Sequence, residues 1–169
     1  MTDLNQLRDR VYKRVSEYGF HDEELSNEHL LCLVISELIE AVKAYRTECH
    51  ANKDEFEVWI DGHDGSNEAF IHAFNKYLKY TVSDGLAYAS IRLFDLAGLR
   101  NLNLNRFALV NVVSKKKSFT ENIYTIVKDI MNYKYSLEEQ VNYTITQIFA
   151  LADILDIDLM WHIEQKNEV

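Results

Sequence analysis

The stretch Leu30-Leu-Cys-Leu-Val-Ile-Ser-Glu37-Leu-Ile-Glu40-Ala-Val-Lys-Ala-Tyr45 sets two glutamates into an otherwise apolar helical pattern. On a helix of 3.6 residues per turn, Glu37 falls inside the apolar arc and Glu40 at its edge. The apolar residues that flank Glu37 on both sides are Leu30, Leu33, Ala41 and Ala44. A desolvated carboxylate needs a partner, and the i, i+3 spacing directs both side chains to one place. The expected partner is a divalent cation or an arginine.

The rest of the composition favours an all-α protein. The chain of 169 residues contains no proline and only five glycines, and these are the two residues that interrupt helices most strongly. This length is sufficient for a substantial hydrophobic core and is typical of one domain, here residues 1–169.

Apolar residues at helical spacing predict about six helices and a final helical turn. The first ends at Gly19, Ser26 or Asn27 begins the second, and Asp158 caps the last. Residues 49–66 are polar and end in Asp61-Gly-His-Asp-Gly-Ser66, which predicts a loop. The predicted helices are residues 3–18, 27–48, 67–80, 81–99, 120–133 and 137–155, with the turn at 159–166.

Charge and cysteine content limit the class of protein. The formal net charge of -9 argues against a nucleic-acid partner, because phosphate binding needs clustered lysine and arginine. No apolar run approaches the roughly 20 residues of a membrane span, and the polar N-terminus is unlike a signal peptide. The two cysteines, Cys32 and Cys49, do not form a disulfide framework. We therefore expect a cytoplasmic protein without a nucleic-acid or membrane partner.

Two stretches of the chain resemble each other without a gap. Residues 94–104, Phe-Asp-Leu-Ala-Gly-Leu-Arg-Asn-Leu-Asn-Leu, align with residues 149–159, Phe-Ala-Leu-Ala-Asp-Ile-Leu-Asp-Ile-Asp-Leu. One interpretation is an internal repeat of helical hairpins, residues 20–104 and 118–159. The other is that two helices share the same turn chemistry at their C-terminal ends.

Four segments, taken in order, resemble the MazG-like, all-α nucleotide pyrophosphohydrolase family. They are His21-Asp-Glu-Glu-Leu-Ser26, Ser36-Glu-Leu-Ile-Glu-Ala41, Ile91-Arg-Leu-Phe-Asp-Leu-Ala97 and Ile157-Asp-Leu-Met-Trp-His-Ile-Glu-Gln-Lys166. The resemblance implies a MazG-like helical bundle that cleaves nucleoside triphosphates to the monophosphate and pyrophosphate. It also implies magnesium or manganese, held by ExxE on one helix and ExxD on the next, and a homo-oligomer such as a dimer.

This chain departs from the family pattern at the second metal motif. The ExxD falls on Gly85-Leu-Ala-Tyr88, so two of the four ligands are missing. The resemblance leaves Glu37 and Glu40 as metal ligands. On the predicted helix 81–99, Asp84 and Asp95 share one stripe with Tyr88 and Arg92, which makes either acid a candidate substitute ligand. Arg92 and Lys166 are the candidate substrate-binding residues. No catalytic residue is identified.

The alternative is that Arg92 pairs with Glu37 or Glu40 in place of the metal, with Tyr88 donating a hydrogen bond to the network. The metal site and the Arg92 ion pair lead to two hypotheses about function. The first is magnesium-dependent cleavage of a nucleoside or deoxynucleoside triphosphate; the second is an inactive nucleotide-binding or protein-interaction module with the same fold. On the sequence alone, restoring Gly85→Glu and Tyr88→Asp is expected to return activity to an inactive member.

Overall fold

A computed structural model describes residues 3–105 and 111–169 of the chain. The described part contains eight α-helices and no strand, which confirms the all-α class. None of these helices is both long and apolar enough to cross a membrane. The helices are α1 (Leu4–Glu17), α2 (Asn27–Arg46), α3 (Lys53–Asp61), α4 (Asn67–Tyr77), α5 (Val82–Leu99), α6 (Phe119–Asn132), α7 (Leu137–Ile154) and α8 (Leu159–Glu168).

Helix α3 lies where the sequence predicts a loop. Asn52 caps it by accepting a hydrogen bond from the backbone N–H three residues later, at 3.1 Å. Phe56, Trp59 and Ile60 follow at i, i+3 and i+4, and they join a small hydrophobic cluster with α4. This short apolar stripe is the missed signal, and the turn residues that follow it in the sequence obscured it.

Helix α5 is the centre of the fold. It packs against α1, α2, α7 and α8, and nearly all of its residues are buried. A helix that is apolar on almost every side can exist only in such a place, because each face must be covered by another element. The side chains of α5 therefore determine which residues of the neighbouring helices can pack against it.

Glycine sets how closely two neighbours approach α5. A Cβ atom at Gly85 would lie 2.8 Å from the Cβ of Ala41 and 3.0 Å from its Cα on α2. A Cβ atom at Gly98 would lie 2.6 Å from the Cβ of Tyr12 on α1. Glycine inside a helix costs about 0.5–1 kcal/mol relative to alanine, so the close packing of these helices offsets that cost.

Three helices end in the same turn, with the following residue in the left-handed conformation. Glu48, Asn101 and Asp156 have φ values of 55°, 53° and 56°, and the next backbone N–H bonds back into the last turn of α2, α5 and α7 respectively. Asn101 and Asp156 occupy the same position in the two similar stretches of sequence. Since α2 ends this way without sharing that sequence, the turn chemistry is sufficient to explain the similarity. The internal repeat remains a prediction.

Helix α8, which packs against α5, carries a buried histidine. His162 is 7% exposed, and its ring meets that of Trp161 edge-on, with the centroids 4.8 Å apart. Burial lowers the pKa of His162 from 6.5 to about 4, although the nearby Asp158 carboxylate acts in the opposite direction. The imidazole is therefore neutral in the folded protein at pH 7.

We expect the substitution Gly85→Ala to destabilise the protein by about 1–2 kcal/mol. The added methyl group overpacks the contact with α2 by roughly 1–3 kcal/mol, and the better helix propensity of alanine returns only part of this. Urea unfolding of Gly85→Ala and of Gly62→Ala gives the test, because a Cβ atom at Gly62 has ordinary contacts at 3.5 Å. Equal stability of the two variants would contradict the close approach.

We expect His162 to make the protein less stable as the pH falls from about 6.5 to about 4. In this window the unfolded chain takes up a proton that the folded state excludes, so stability present above pH 6.5 is lost on acidification. A shift of this size corresponds to at most about 3 kcal/mol. The difference in unfolding free energy between wild type and His162→Gln, followed over this pH range, isolates the effect. His29→Gln, at an exposed position, serves as the control and should keep the wild-type slope.

Candidate functional site

A cavity lies beside the glutamates of α2. It has a volume of about 240 Å³ and lies between α2, the start of α5 and the end of α8. Three carboxylates and two lysines line it: Glu37, Glu40, Asp84, Lys79 and Lys166. The remaining lining residues are Tyr80, Thr81, Gly85 and Tyr88.

Glu37 pairs with an arginine of α5. The side chain of Glu37 is 14% exposed, and its Oε1 lies 3.3 Å from Nη2 of Arg92. The same nitrogen donates a hydrogen bond to the hydroxyl of Tyr88 at 3.3 Å, and the guanidinium carbon lies 4.6 Å from the centre of that ring. The ion pair of Arg92 with Glu37 is the alternative to a metal ion that the sequence analysis raises. Tyr88, however, accepts the hydrogen bond from Arg92 and does not donate one to it.

Burial raises the pKa of Glu37 above its ordinary value. The neighbouring Asp84 raises it further, while Arg92 and Lys166 act in the opposite direction without cancelling the effect of burial. The charged form of the Glu37 carboxylate therefore carries a desolvation cost, and the two cations reduce that cost. The ion pair compensates for burial more than it adds stability.

Asp84 is buried and pairs with a lysine from the end of the chain. Its Oδ1 lies 3.2 Å from Nζ of Lys166, and its Oδ2 accepts a hydrogen bond from the backbone N–H of Tyr80 at 3.0 Å. The same Nζ lies 4.7 Å from the ring centre of Tyr88 and 5.1 Å from that of Phe74. The ammonium group thus contacts one carboxylate and two aromatic rings.

Glu40 and Lys79 are the less constrained charges of the cavity. Glu40 is exposed, as its place at the edge of the apolar arc predicts, and Lys79 is half-buried. Within residues 3–105 and 111–169, neither side chain forms an ion pair shorter than 4 Å.

Asp95 does not line this cavity. Its Oδ1 lies 2.7 Å from Nε2 of His21, and Nδ1 of that ring lies 2.5 Å from the hydroxyl oxygen of Ser16. Burial raises the pKa of Asp95 and His21 partly offsets the rise. The carboxylate therefore ties the α1–α2 connection to α5, and it is not brought together with Glu37 and Glu40. The helical stripe that Asp95 shares with Asp84 predicted a position beside the glutamates. Nothing in the sequence indicated His21 as the partner of Asp95.

The glycine and tyrosine of the altered motif have structural roles. Position 85 points at the backbone of α2, where even a Cβ atom would be 3.0 Å from the nitrogen of Ala41. A glutamate has no room there unless α2 shifts, so this packing speaks against the expectation that Gly85→Glu with Tyr88→Asp returns a working site, and the expectation stays a prediction. Tyr88 contacts the cations Arg92 and Lys166 with its ring, which is the interaction that would be lost on substitution by aspartate.

The acidic side chains of the cavity do not fit a magnesium site as they stand. Magnesium requires close to six oxygen ligands at about 2.0–2.1 Å, whereas Glu37 and Asp84 already hold the cationic groups of Arg92 and Lys166. In the described ranges, no group of three or more histidine, cysteine, aspartate or glutamate side chains is placed to bind a metal ion. The cations that lie beside Glu37 and Asp84 are the guanidinium group of Arg92 and the ammonium group of Lys166.

Comparison of the chain with protein-family models, with curated proteins and with solved structures gives no match. The MazG-like assignment therefore depends on the four sequence segments quoted above and remains a prediction.

We expect Arg92→Met to destabilise the protein by about 1–2 kcal/mol at pH 7, and Glu37→Gln to cost less. Removing the arginine leaves a carboxylate whose burial is no longer compensated, whereas glutamine carries no charge to desolvate. Urea unfolding of both variants and of the double variant measures the coupling.

The pH dependence of Arg92→Met provides a second check. A carboxyl group with a raised pKa contributes stability at low pH that is lost as the pH rises through its folded value. Loss of Arg92 raises that pKa further, so the deficit relative to wild type should shrink between pH 7 and pH 5. A deficit that is constant over this range would show that Arg92 acts through packing and not through Glu37.

Proposed function

We propose that this chain is a MazG-like protein that does not hydrolyse nucleoside triphosphates and that serves as a metal-independent binding module. The observation that carries the proposal is the pair of internal cations in the cavity, Arg92 on Glu37 and Lys166 on Asp84. In the family that the sequence resembles, magnesium neutralises such carboxylates.

The charge balance of the cavity supports the loss of hydrolysis. Phosphoryl transfer needs positive charge that is free to stabilise the oxygens of the reacting phosphate. Here Arg92 and Lys166 are already paired with carboxylates, and Glu40 adds a further negative charge at the rim. A triphosphate without its metal would meet three carboxylates and only one lysine, Lys79, that is not held in an ion pair by the described residues.

The magnesium-dependent pyrophosphohydrolase is the second candidate. It is favoured by one observation, namely that Glu37, Glu40 and Asp84 reach the same cavity from two facing helices. In that case these three residues are the candidate metal ligands, and Arg92 and Lys166 are the candidates to contact phosphate.

The two candidates differ in what stabilises the protein. We expect no saturable rise in Tm with millimolar magnesium or manganese, with or without a non-hydrolysable deoxynucleoside triphosphate, since the carboxylates are paired internally. The measurement is a thermal-shift titration of the wild-type chain, together with an assay for pyrophosphate release.

A rise that needs both metal and nucleotide and disappears in Glu37→Ala would overturn the proposal in favour of the hydrolase. Glu28→Ala is the matched control, because Glu28 is exposed on the first turn of the same helix. Sedimentation of the same samples would test the homodimer that the resemblance implies.

A further inference from the structure

We propose that the cavity between α2, α5 and α8 is a recognition site for primary alkylammonium groups, which Lys166 fills from within the chain, and that its external ligands are small diamines or polyamines. The inference rests on the proposed function, because it takes the cavity to hold an ammonium group and not a metal ion.

The surroundings of the Lys166 ammonium group carry this inference. Nζ lies 3.2 Å from Oδ1 of Asp84 and within 5.1 Å of the ring centres of both Tyr88 and Phe74. The side chain of Lys166 is 17% exposed, so these contacts are largely screened from water. A carboxylate combined with aromatic faces is the arrangement that proteins use to bind alkylammonium groups.

The same surroundings discriminate against other ligands. Aromatic faces offer nothing to magnesium, which needs oxygen ligands in an octahedral arrangement. An anion would meet the three carboxylates Glu37, Glu40 and Asp84, and of the two lysines that line the cavity Lys166 is already paired with Asp84. An ammonium group at the place of the Lys166 ammonium donates to the carboxylate of Asp84 and lies close to the rings of Tyr88 and Phe74.

Asp84 requires a cation at this place. Its Oδ1 is completely buried and has no hydrogen-bond donor of good geometry among the described residues, so the Lys166 ammonium is its compensation. Loss of that cation would leave a buried charge without a partner, which is strongly unfavourable.

There is room for a ligand with a second ammonium group. The volume of about 240 Å³ remains open while Lys166 is in place. Glu40 at its rim forms no ion pair with the described residues. Asp84 and Glu40 line the same cavity, so we expect a diamine to place one ammonium group at each, whereas the side chain of Lys166 supplies only one.

Lys166 competes with any such ligand. It lies in the last turn of α8, near the end of the chain, and a tethered group has a high effective concentration at its own site. The wild-type protein should therefore bind amines more weakly than a variant without this lysine, by about tenfold or more.

The experiment is an amine rescue of Lys166→Ala. The variant should melt below the wild type, and propylammonium or 1,4-diaminobutane should restore its Tm in a saturable way that equal concentrations of sodium chloride or propanol do not reproduce. Lys166→Met is the matched control: it keeps the length of the side chain, fills the space and should not respond. Lys13→Ala removes an exposed lysine of α1 that does not line the cavity and should behave like the wild type.

A folded Lys166→Ala variant that shows no amine-specific rise in Tm would overturn the inference. A magnesium effect as large as that of the amine would also overturn it, since the cavity would then be a general cation site. The proposed function fails by a different result, namely the joint dependence of the wild type on metal and nucleotide.

A second measurement covers the case in which Lys166→Ala does not fold. Calorimetric titration of the wild type with 1,4-diaminobutane should show weak, saturable binding in the millimolar range that Glu40→Gln diminishes. Because Glu40 is exposed, this substitution does not threaten the core. Absence of binding, or binding that Glu40→Gln leaves unchanged, would overturn the inference.

Discussion

The close approach of α2 and α5 at Gly85 is the constraint on which the candidate site depends. A contact in which a Cβ atom would lie 2.8 Å from Ala41 permits only glycine. It brings the face of α2 that carries Glu37 and Glu40 directly against the start of α5, where Asp84 and Tyr88 lie. The acidic cavity is therefore a consequence of how these two helices pack.

The close packing of α2 and α5 also requires the buried carboxylates of Glu37 and Asp84 to find cationic partners. Glu37 and Asp84 lose most of their water, and the raised pKa of Glu37 shows that its neighbours do not fully replace it. Each carboxylate takes a long basic side chain as its partner, Arg92 from the same helix pair and Lys166 from α8. The ring of Tyr88 contacts both cations, so one aromatic side chain links the two ion pairs into a single network.

Local patterns in the sequence were sufficient to predict most of the helices, but not the ion-pair partners of the acidic residues in the site. Helical periodicity and capping residues located most elements, and the exception, α3, has its short apolar stripe inside a stretch rich in turn residues. The pairing of Glu37 with Arg92 was accessible as an alternative, because a buried carboxylate needs a cation. The contacts of Lys166 with Asp84 and of His21 with Asp95 join residues 82 and 74 positions apart, and no periodicity within one helix can indicate them. The role of Gly85 depends on the distance between two backbones, which a single sequence does not contain.

Gly85 and Tyr88, at which the sequence differs from the family that it resembles, belong to one packing arrangement. With glycine at position 85, α2 comes so close that a glutamate there would have to displace the backbone at Ala41. With tyrosine at position 88, the space beside Asp84 holds a ring against which the cations of Arg92 and Lys166 lie. An acid at either position alone would therefore remove a contact without supplying a metal site. Acids at positions 85 and 88 would require α2 and α5 to move apart, and that movement would open the main hydrophobic core, to which both helices contribute.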